Sequence, residues 1–90
     1  MTAAALRAKF NAKIAAQTTP RLLEILVIMN DSEKAGEKHD SAERMTFAAI
    51  CDELERRLEL TDAMEDIFMD LDYTGTYGDA MLEAIKRVAA

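Results

Sequence analysis

The sequence is short of the residues that cross-link, kink or redirect a chain. It holds one cysteine, one proline, three glycines and no tryptophan. A single cysteine excludes an internal disulfide and favours a reducing compartment, so we expect a cytoplasmic protein. The longest apolar run without a charge, Ile25 to Met29, is far too short to span a membrane, and we expect no membrane contact. Ninety residues permit one hydrophobic core, which predicts a single domain over residues 1–90.

Positive charge is missing from most of the carboxyl-terminal half. The formal net charge is −6, but residues 1–23 carry four bases and no acid, whereas residues 58–85 carry eight acids and no base. An acidic chain repels phosphate, so we expect no nucleic acid among its partners.

The residue types that usually carry catalysis are scarce. His39 is the only histidine and Cys51 the only cysteine. Zinc needs three or four such ligands, so we expect no metal or other cofactor. His39, Asp40 and Ser41 are the letters of a hydrolase triad, but consecutive side chains diverge, whereas a triad requires convergence. The sequence therefore predicts a non-enzymatic protein in which Asp40 or Ser41 caps a helix and Cys51 is buried.

Apolar periodicity predicts an all-α fold, a compact array of four to five helices. Residues 1–17 form a basic amphipathic amino-terminal segment, helical from residue 3 and capped by Thr2. The second helix starts at Thr19–Pro20 and ends near Met29, and residues 30–40 follow as a polar connector. We expect the other helices to surround this second helix.

The third helix, about 41–60, has the clearest pattern, because its large apolar residues recur on one face that we expect to be buried, namely Phe47, Ile50, Cys51, Leu54 and Leu58. Asp40 and Glu43 form a predicted capping box at its start. Ion pairs four residues apart are predicted on its exposed side, Asp52 with Arg56 and Glu53 with Arg57. The fourth helix runs from Thr61 or Asp62 to about Leu71, and the last covers about 77–88. These two helices are expected to bury the apolar residues Met64, Ile67, Phe68, Leu71, Met81, Leu82, Ile85 and Val88.

The second helix carries more apolar side chains than one buried face can hold. Seven of the eight residues from Leu22 to Met29 are large and apolar, so part of this surface is predicted to contact another chain. We expect that chain to be a second copy or a host protein, with a homodimer as the leading state. The predicted partner-binding residues are Leu22, Leu23, Leu26, Val27 and Met29, together with Leu6, Phe10 and Ile14 of the first helix.

One side of the fourth helix is acidic, with Asp62, Glu65, Asp66 and Asp70 opposite its apolar residues. Three interpretations stay open for this face: a solvated surface, a docking face for a basic protein, or a mimic of nucleic acid that occupies a basic host protein.

The stretch that follows resembles the first nine positions of an EF-hand calcium loop. Asp70, Asp72 and Thr74 supply oxygen ligands at the first, third and fifth positions, and Gly75 matches the turn glycine. Met81 stands where the bidentate Glu belongs, so these three residues are weak candidates for a metal site in a degenerate regulatory loop. The alternative is a simple turn, in which Gly75 and Gly78 permit positive φ and Thr76 or Gly78 starts the last helix.

Several segments between residues 18 and 88 carry a further resemblance. They are Thr19-Pro20-Arg21-Leu22-Leu23-Glu24, Glu43-Arg44-Met45, Ile50-Cys51-Asp52-Glu53-Leu54-Glu55-Arg56-Arg57 and Asp72-Tyr73-Thr74-Gly75-Thr76-Tyr77. Together they resemble short uncharacterised helical proteins of actinobacteria and their phages and plasmids. The resemblance implies an accessory protein of a mobile element or its host, and it supplies no catalytic or binding residues.

The leading functional prediction is therefore a small acidic helical protein–protein interaction module that self-associates, or that acts on a host protein as a phage or mobile-element accessory. The alternatives are an acidic decoy that inhibits a basic host protein and a calcium-responsive module.

Overall fold

The computed structural model describes residues 2–90, which form five α-helices with no strand among them. The helices are α1 (Ala3–Ala15), α2 (Thr19–Lys34), α3 (Ser41–Leu58), α4 (Thr61–Met69) and α5 (Tyr77–Ala89). The predicted all-α fold is confirmed. In the described range, no helix has the length and apolar character to cross a membrane.

The central helix is α3, and the expectation that α2 would be surrounded by the others is wrong. α3 packs against α1, α2 and α5, whereas α4 packs mainly against α5. α3 is also the longest helix, with 18 residues, so it offers neighbours the most surface. α2 lies against α3 and α5 and leaves its remaining side to solvent.

Four of the five helices begin at a side-chain cap, which explains why the chain turns where it does. Thr2 caps α1 as predicted, and Asp40 and Glu43 form the predicted capping box of α3. α2 is capped by Thr18, one residue before the predicted position, since its Oγ1 accepts from Arg21 N at 3.3 Å. Thr76 caps α5, which confirms one of the two predicted starts.

The predicted connector over 30–40 is too long, because α2 continues to Lys34 and includes its first five residues. Asn30 is directed inward and only 2% exposed. A buried amide is stable only when hydrogen-bonded, and partners on α5 supply those bonds. The chain then leaves α2 through Gly36, whose φ of 81° suits a glycine after a helix end.

All five helices or their immediate ends contribute to the core. Its buried apolar members are Ile14, Leu22, Leu26, Ile50, Cys51, Leu54, Leu60, Met64, Ile67, Ala80, Met81 and Ala84. The predicted inward face of α3 is confirmed at Ile50, Cys51 and Leu54. Ala80 and Ala84 are core residues that size alone does not indicate, and they let α5 approach its neighbours closely.

Three residues predicted to be buried are exposed instead. Phe68 and Val88 are about half exposed, and Leu71 is 97% exposed. The predicted burial of Leu71 is wrong because α4 ends at Met69, so Leu71 lies in the turn beyond the helix. Val88 lies in the last turn of α5, beyond the neighbouring helices.

Gly75 and Gly78 do not have the positive φ that was predicted for them. Space is the reason for glycine at both positions. A Cβ on Gly78 would lie 2.5 Å from Asn30 Cγ, and one on Gly75 would lie 2.7 Å from Tyr73 Cζ. Both glycines therefore allow close approach of side chains to the start of α5.

Candidate functional site

A polar cluster joins α2 to the start of α5. Asn30 Nδ2 donates to Asp79 Oδ1 at 2.8 Å, and Thr76 Oγ1 donates to Asn30 Oδ1 at 2.6 Å. Thr76 Oγ1 also accepts from Asp79 N at 2.9 Å, and Lys34 Nζ lies 3.4 Å from Asp79 Oδ1. Every buried side-chain polar atom in residues 2–90 has a partner, so the cluster is a structural lock rather than a binding site.

The electrostatics of this lock favour an ionised Asp79. The hydrogen bond from Asn30 is the main reason that the pKa of Asp79 lies below its usual range, followed by the Thr76 backbone and Lys34. The lock fixes the first turn of α5, and with it the position of Tyr77, whose ring contributes to two surface sites.

The first of these sites is an exposed apolar surface at the end of α4. We call it the α4 patch and define it as Phe68, Met69, Leu71 and Tyr77. The Phe68 ring stacks on Tyr77 with centroids 5.6 Å apart and meets Tyr73 edge-on at 6.1 Å. Met69 is 79% exposed. The aromatic contacts hold the patch in one arrangement while leaving it open to solvent.

A shallow groove of about 460 Å³ borders the α4 patch, lined by Met64, Phe68, Met69 and Tyr77 with Glu55 and Glu65 at its edge. The four acidic residues predicted on α4 are all exposed, as expected, namely Asp62, Glu65, Asp66 and Asp70. The patch is thus an apolar surface with carboxylates beside it, which matches a partner that carries both apolar and basic side chains.

The predicted partner surface on α2 and α1 is only partly at the surface. Leu22 and Leu26 are fully enclosed and Ile14 is buried, because α2 packs against α3 and α5 and α1 packs against α3. These three are core residues and offer nothing to a partner. Leu23, Met29 and Phe10 are half-buried, and only Leu6 and Val27 are exposed, with Ile28 beside them.

The amino-terminal helix makes few contacts with the rest of the chain. Residues 2–9 are all exposed, and α1 is held mainly by Phe10 and Ile14. Its carboxyl end is fixed by Arg57, which donates to Ala15 O at 2.9 Å and to Thr19 Oγ1 at 3.1 Å. The basic, apolar first half of α1 is therefore free to contact another molecule.

Arg57 also forms the predicted pair with Glu53 at 2.9 Å. The predicted pair of Asp52 with Arg56 is wrong. Arg56 turns to the same Glu53 carboxylate, because an acid three residues away on the inner side of the helix is within reach and is already positioned by Arg57.

The first residues of the calcium-like loop form a local turn. Asp70 ends α4, and its Oδ1 accepts from Asp72 N at 3.0 Å, as in an ordinary Asx turn. Across residues 2–90, no group of three or more His, Cys, Asp or Glu side chains is placed to hold a metal ion. The alternative of a simple turn is confirmed in the start of the last helix at Thr76 and wrong in the positive φ at Gly75 and Gly78. Calcium binding by Asp70, Asp72 and Thr74 stays a prediction.

The second surface site is a groove of about 600 Å³ between α2, the connector and α3. Its apolar part is lined by Met29, Phe47, Ala48, Cys51 and the ring of Tyr77. The polar residues that line it are Glu33, Glu37, His39, Arg44 and Asp52. The sequence contains no local signal for this groove, because its walls come from three separate segments.

Neither Cys51 nor His39 is placed for nucleophilic chemistry in this groove. Burial, with Asp52, Glu55 and Glu33 nearby, raises the pKa of the Cys51 thiol to about 12, so it stays protonated. The His39 ring contacts Ser32 at 3.1 Å, and Asp40 caps α3. The predicted burial of Cys51 and the predicted cap at Asp40 are both confirmed. His39 contacts Ser32 while Asp40 caps α3, so His39, Asp40 and Ser41 have different structural roles.

Comparison with known proteins adds no relative. No family model, curated protein or solved structure matches this chain. The fold and the two surface sites thus define a small all-helical domain with one exposed apolar patch and one mixed apolar and charged groove. The resemblance to actinobacterial and phage proteins stays a prediction.

Proposed function

We propose that this protein is a non-enzymatic interaction module that binds another protein chain through the α4 patch. The observation that supports the proposal is the exposure of two large apolar side chains on either side of Asp70, Met69 at 79% and Leu71 at 97%. Isolated exposed apolar residues need no explanation. A stacked aromatic pair beside two such side chains is the kind of cluster that anchors protein interfaces.

A single copy of the chain leaves the side chains of the α4 patch exposed to water. Covering a large apolar side chain contributes about 1.5–3 kcal/mol. The stacking of Phe68 on Tyr77 already orders two of the four side chains of the patch, so less conformational entropy is lost when a partner binds. The carboxylates of Glu65 and Asp66 beside the patch favour a partner with basic residues at its edge.

A second copy of the chain is the first partner we propose. Its α1 carries Arg7, Lys9 and Lys13 without any acid, together with the exposed Leu6. This is the combination of apolar and basic side chains that the α4 patch complements. If α1 of each copy lies on the α4 patch of the other, two equal contacts form and the dimer closes.

Light scattering coupled to size-exclusion chromatography tests this proposal. The wild-type chain of 10.0 kDa should elute with about twice that mass at micromolar concentration, and the double variant Met69→Ser with Leu71→Ser should elute as a monomer. The matched control is Ile28→Ser, which removes an exposed apolar side chain from α2 and should stay dimeric. A monomeric wild type, or a patch variant that stays dimeric, would overturn the proposal.

The acidic decoy is the second candidate, favoured by the exposure of all four acidic residues on α4. It differs from the first in its response to salt, because interactions between exposed charges are screened beyond a Debye length of about 8 Å at physiological ionic strength. A decoy would lose its basic partner between low and high salt. Binding through the apolar patch would persist, and salt-resistant association would exclude the decoy.

We also propose where in the cell, and in which biological role, this protein acts. A cytoplasmic location fits the free thiol of Cys51, and a role as a mobile-element accessory acting on a host protein follows only from the resemblance. Capture of a host protein by wild type but not by the Met69 and Leu71 variant would support the accessory role.

A further inference from the structure

The groove between α2 and α3 has the size and composition of a small-molecule site. Its volume of about 600 Å³ lies within the range of about 300–1,000 Å³ that is usual for such sites. Phe47, Met29 and Tyr77 line it with apolar surface. The α4 patch lies largely outside it, so the groove is a separate feature apart from the shared Tyr77.

The charges around the groove are unequal. Three carboxylates, those of Glu33, Glu37 and Asp52, line it against one guanidinium, that of Arg44. Glu37 accepts a hydrogen bond from the neutral hydroxyl of Ser32. Within the described residues, neither these three carboxylates nor the Arg44 guanidinium takes part in an ion pair. The groove therefore carries three unpaired carboxylates against one unpaired guanidinium.

The positive and negative ends of the groove are separated along α3. Asp52 lies eight residues after Arg44, which corresponds to about 12 Å along a helix. Arg44 is directed toward the start of α3, where it donates to Ser41 Oγ at 3.4 Å. Asp52 lies close enough to Tyr77 for its charge to raise the pKa of that hydroxyl, so the end of the groove near these two residues attracts positive charge.

The titration behaviour of the groove residues agrees with this assignment. Burial is the main reason that the pKa of Tyr77 lies above its usual range, and Glu55 and Asp52 raise it further. Burial and the same kind of acidic surroundings raise the pKa of Cys51. Nearby negative charge thus raises the pKa of both groups at the Tyr77 end of the groove.

We propose that this groove binds a small organic cation with an apolar body, such as an arylalkylamine. The apolar body lies on Phe47 and Met29, and the ammonium group lies between Asp52 and Glu33. The ring of Tyr77 attracts a cation further, because the face of an aromatic ring carries negative potential. An anionic ligand of the same shape is repelled by Glu33 and Asp52 at this end of the groove and binds more weakly than the amine.

Amide NMR titration of the isotope-labelled protein with three matched probes tests the proposal. Phenylbutylamine should shift the amides of Ala48, Cys51 and Tyr77 and saturate with a Kd on the order of 0.1–1 mM, as expected for a ligand of its size. Phenylbutanol should bind more weakly, and phenylbutyrate should bind least. Equal binding of the amine and the carboxylate, or shifts that do not saturate, would overturn the proposal.

Variants separate the groove from the rest of the surface. Asp52→Asn should weaken amine binding about fivefold, the usual scale for loss of one partly exposed charge contact. Asp62→Asn on α4 removes an equal charge outside the groove and should leave the Kd unchanged. Ala48→Trp should fill the groove and abolish saturation, and retained binding in that variant would place the ligand elsewhere. Repeating the titration with Met69→Ser and Leu71→Ser makes the result independent of self-association.

Discussion

Replacing Asn30 by Asp tests the lock between α2 and α5 with a change of only a few atoms. The Nδ2 that donates to Asp79 Oδ1 at 2.8 Å becomes a carboxylate oxygen, so a hydrogen bond is replaced by repulsion. The side chain keeps its size and shape, and the core around it is not otherwise disturbed. We expect Asn30→Asp to be among the most destabilising isosteric changes in this protein at pH 7.

The magnitude follows from the geometry of the two carboxylates. Unit charges about 4 Å apart interact by about 4 kcal/mol at an effective dielectric constant near 20. The Asp79 side chain is 30% exposed and Lys34 Nζ lies 3.4 Å away, so solvent and this cation reduce the repulsion. We expect a loss of about 3 kcal/mol in the free energy of unfolding at pH 7, most of it electrostatic.

The pH dependence distinguishes repulsion from simple loss of contacts. In the wild type the pKa of Asp79 is lowered, so its contribution is present above the unfolded pKa of about 3.9 and is lost as pH falls through the folded value. In the variant the two carboxylates share the site, and the pair binds its first proton with a raised pKa. Stability is then regained as pH falls from 7, because the protonated group can donate to its neighbour.

Urea denaturation followed by far-ultraviolet circular dichroism at pH 7 and pH 4.5 measures both effects. The gap between wild type and Asn30→Asp should narrow at pH 4.5. The control Asn30→Ala removes the hydrogen bonds without adding charge, so it should cost about 2 kcal/mol and show no such narrowing. A variant Asn30→Asp that is as stable as wild type at pH 7, or a gap that is the same at both pH values, would refute the reasoning.

Two further predictions concern close packing near the same region. Gly78→Ala should destabilise the protein by about 1–3 kcal/mol, the usual cost of overpacking, because its Cβ would lie 2.5 Å from Asn30 Cγ; thermal denaturation with an unchanged midpoint would contradict this. The Cys51 thiol, 2% exposed and with its pKa raised to about 12, should not react with an aromatic disulfide reagent at pH 8 until the chain unfolds. A native-state reaction as fast as that of a free thiol would show that the core is open there.

The sequence predicts best what depends on neighbouring residues. The caps at Thr2 and Asp40 are confirmed, and each involves a side chain and a backbone group three residues apart. The inward face of α3 is also confirmed. It could be predicted because its apolar residues recur at one helical period and leave a charged face opposite. Signals of this kind are complete within one turn or one helix, so they can be interpreted without knowledge of the fold.

Asn30 shows why other features could not be predicted. Its partners, Asp79 and Thr76, are 49 and 46 residues away. Without them, an asparagine followed by aspartate and serine indicates the end of a helix, since these side chains compete with the backbone for hydrogen bonds. The remote partners satisfy the amide, and α2 then extends to Lys34. The groove between α2 and α3 is missed for the same reason, because its walls meet only in the folded chain.

The burial predicted for α2 and for α4 differs from the burial observed for one physical reason, which is the number of neighbouring helices that each packs against. α2 looked too apolar to be covered, yet α3 and α5 together enclose Leu22 and Leu26. α4 looked fully amphipathic, yet it is only nine residues long and packs mainly on α5. Met64 and Ile67 fill the contact with α5, so Phe68, Met69 and Leu71 remain exposed to solvent. An apolar stripe on a helix therefore predicts burial only along the part of the helix that packs against a neighbouring element. The end of a short peripheral helix is the first place to look for an exposed apolar surface.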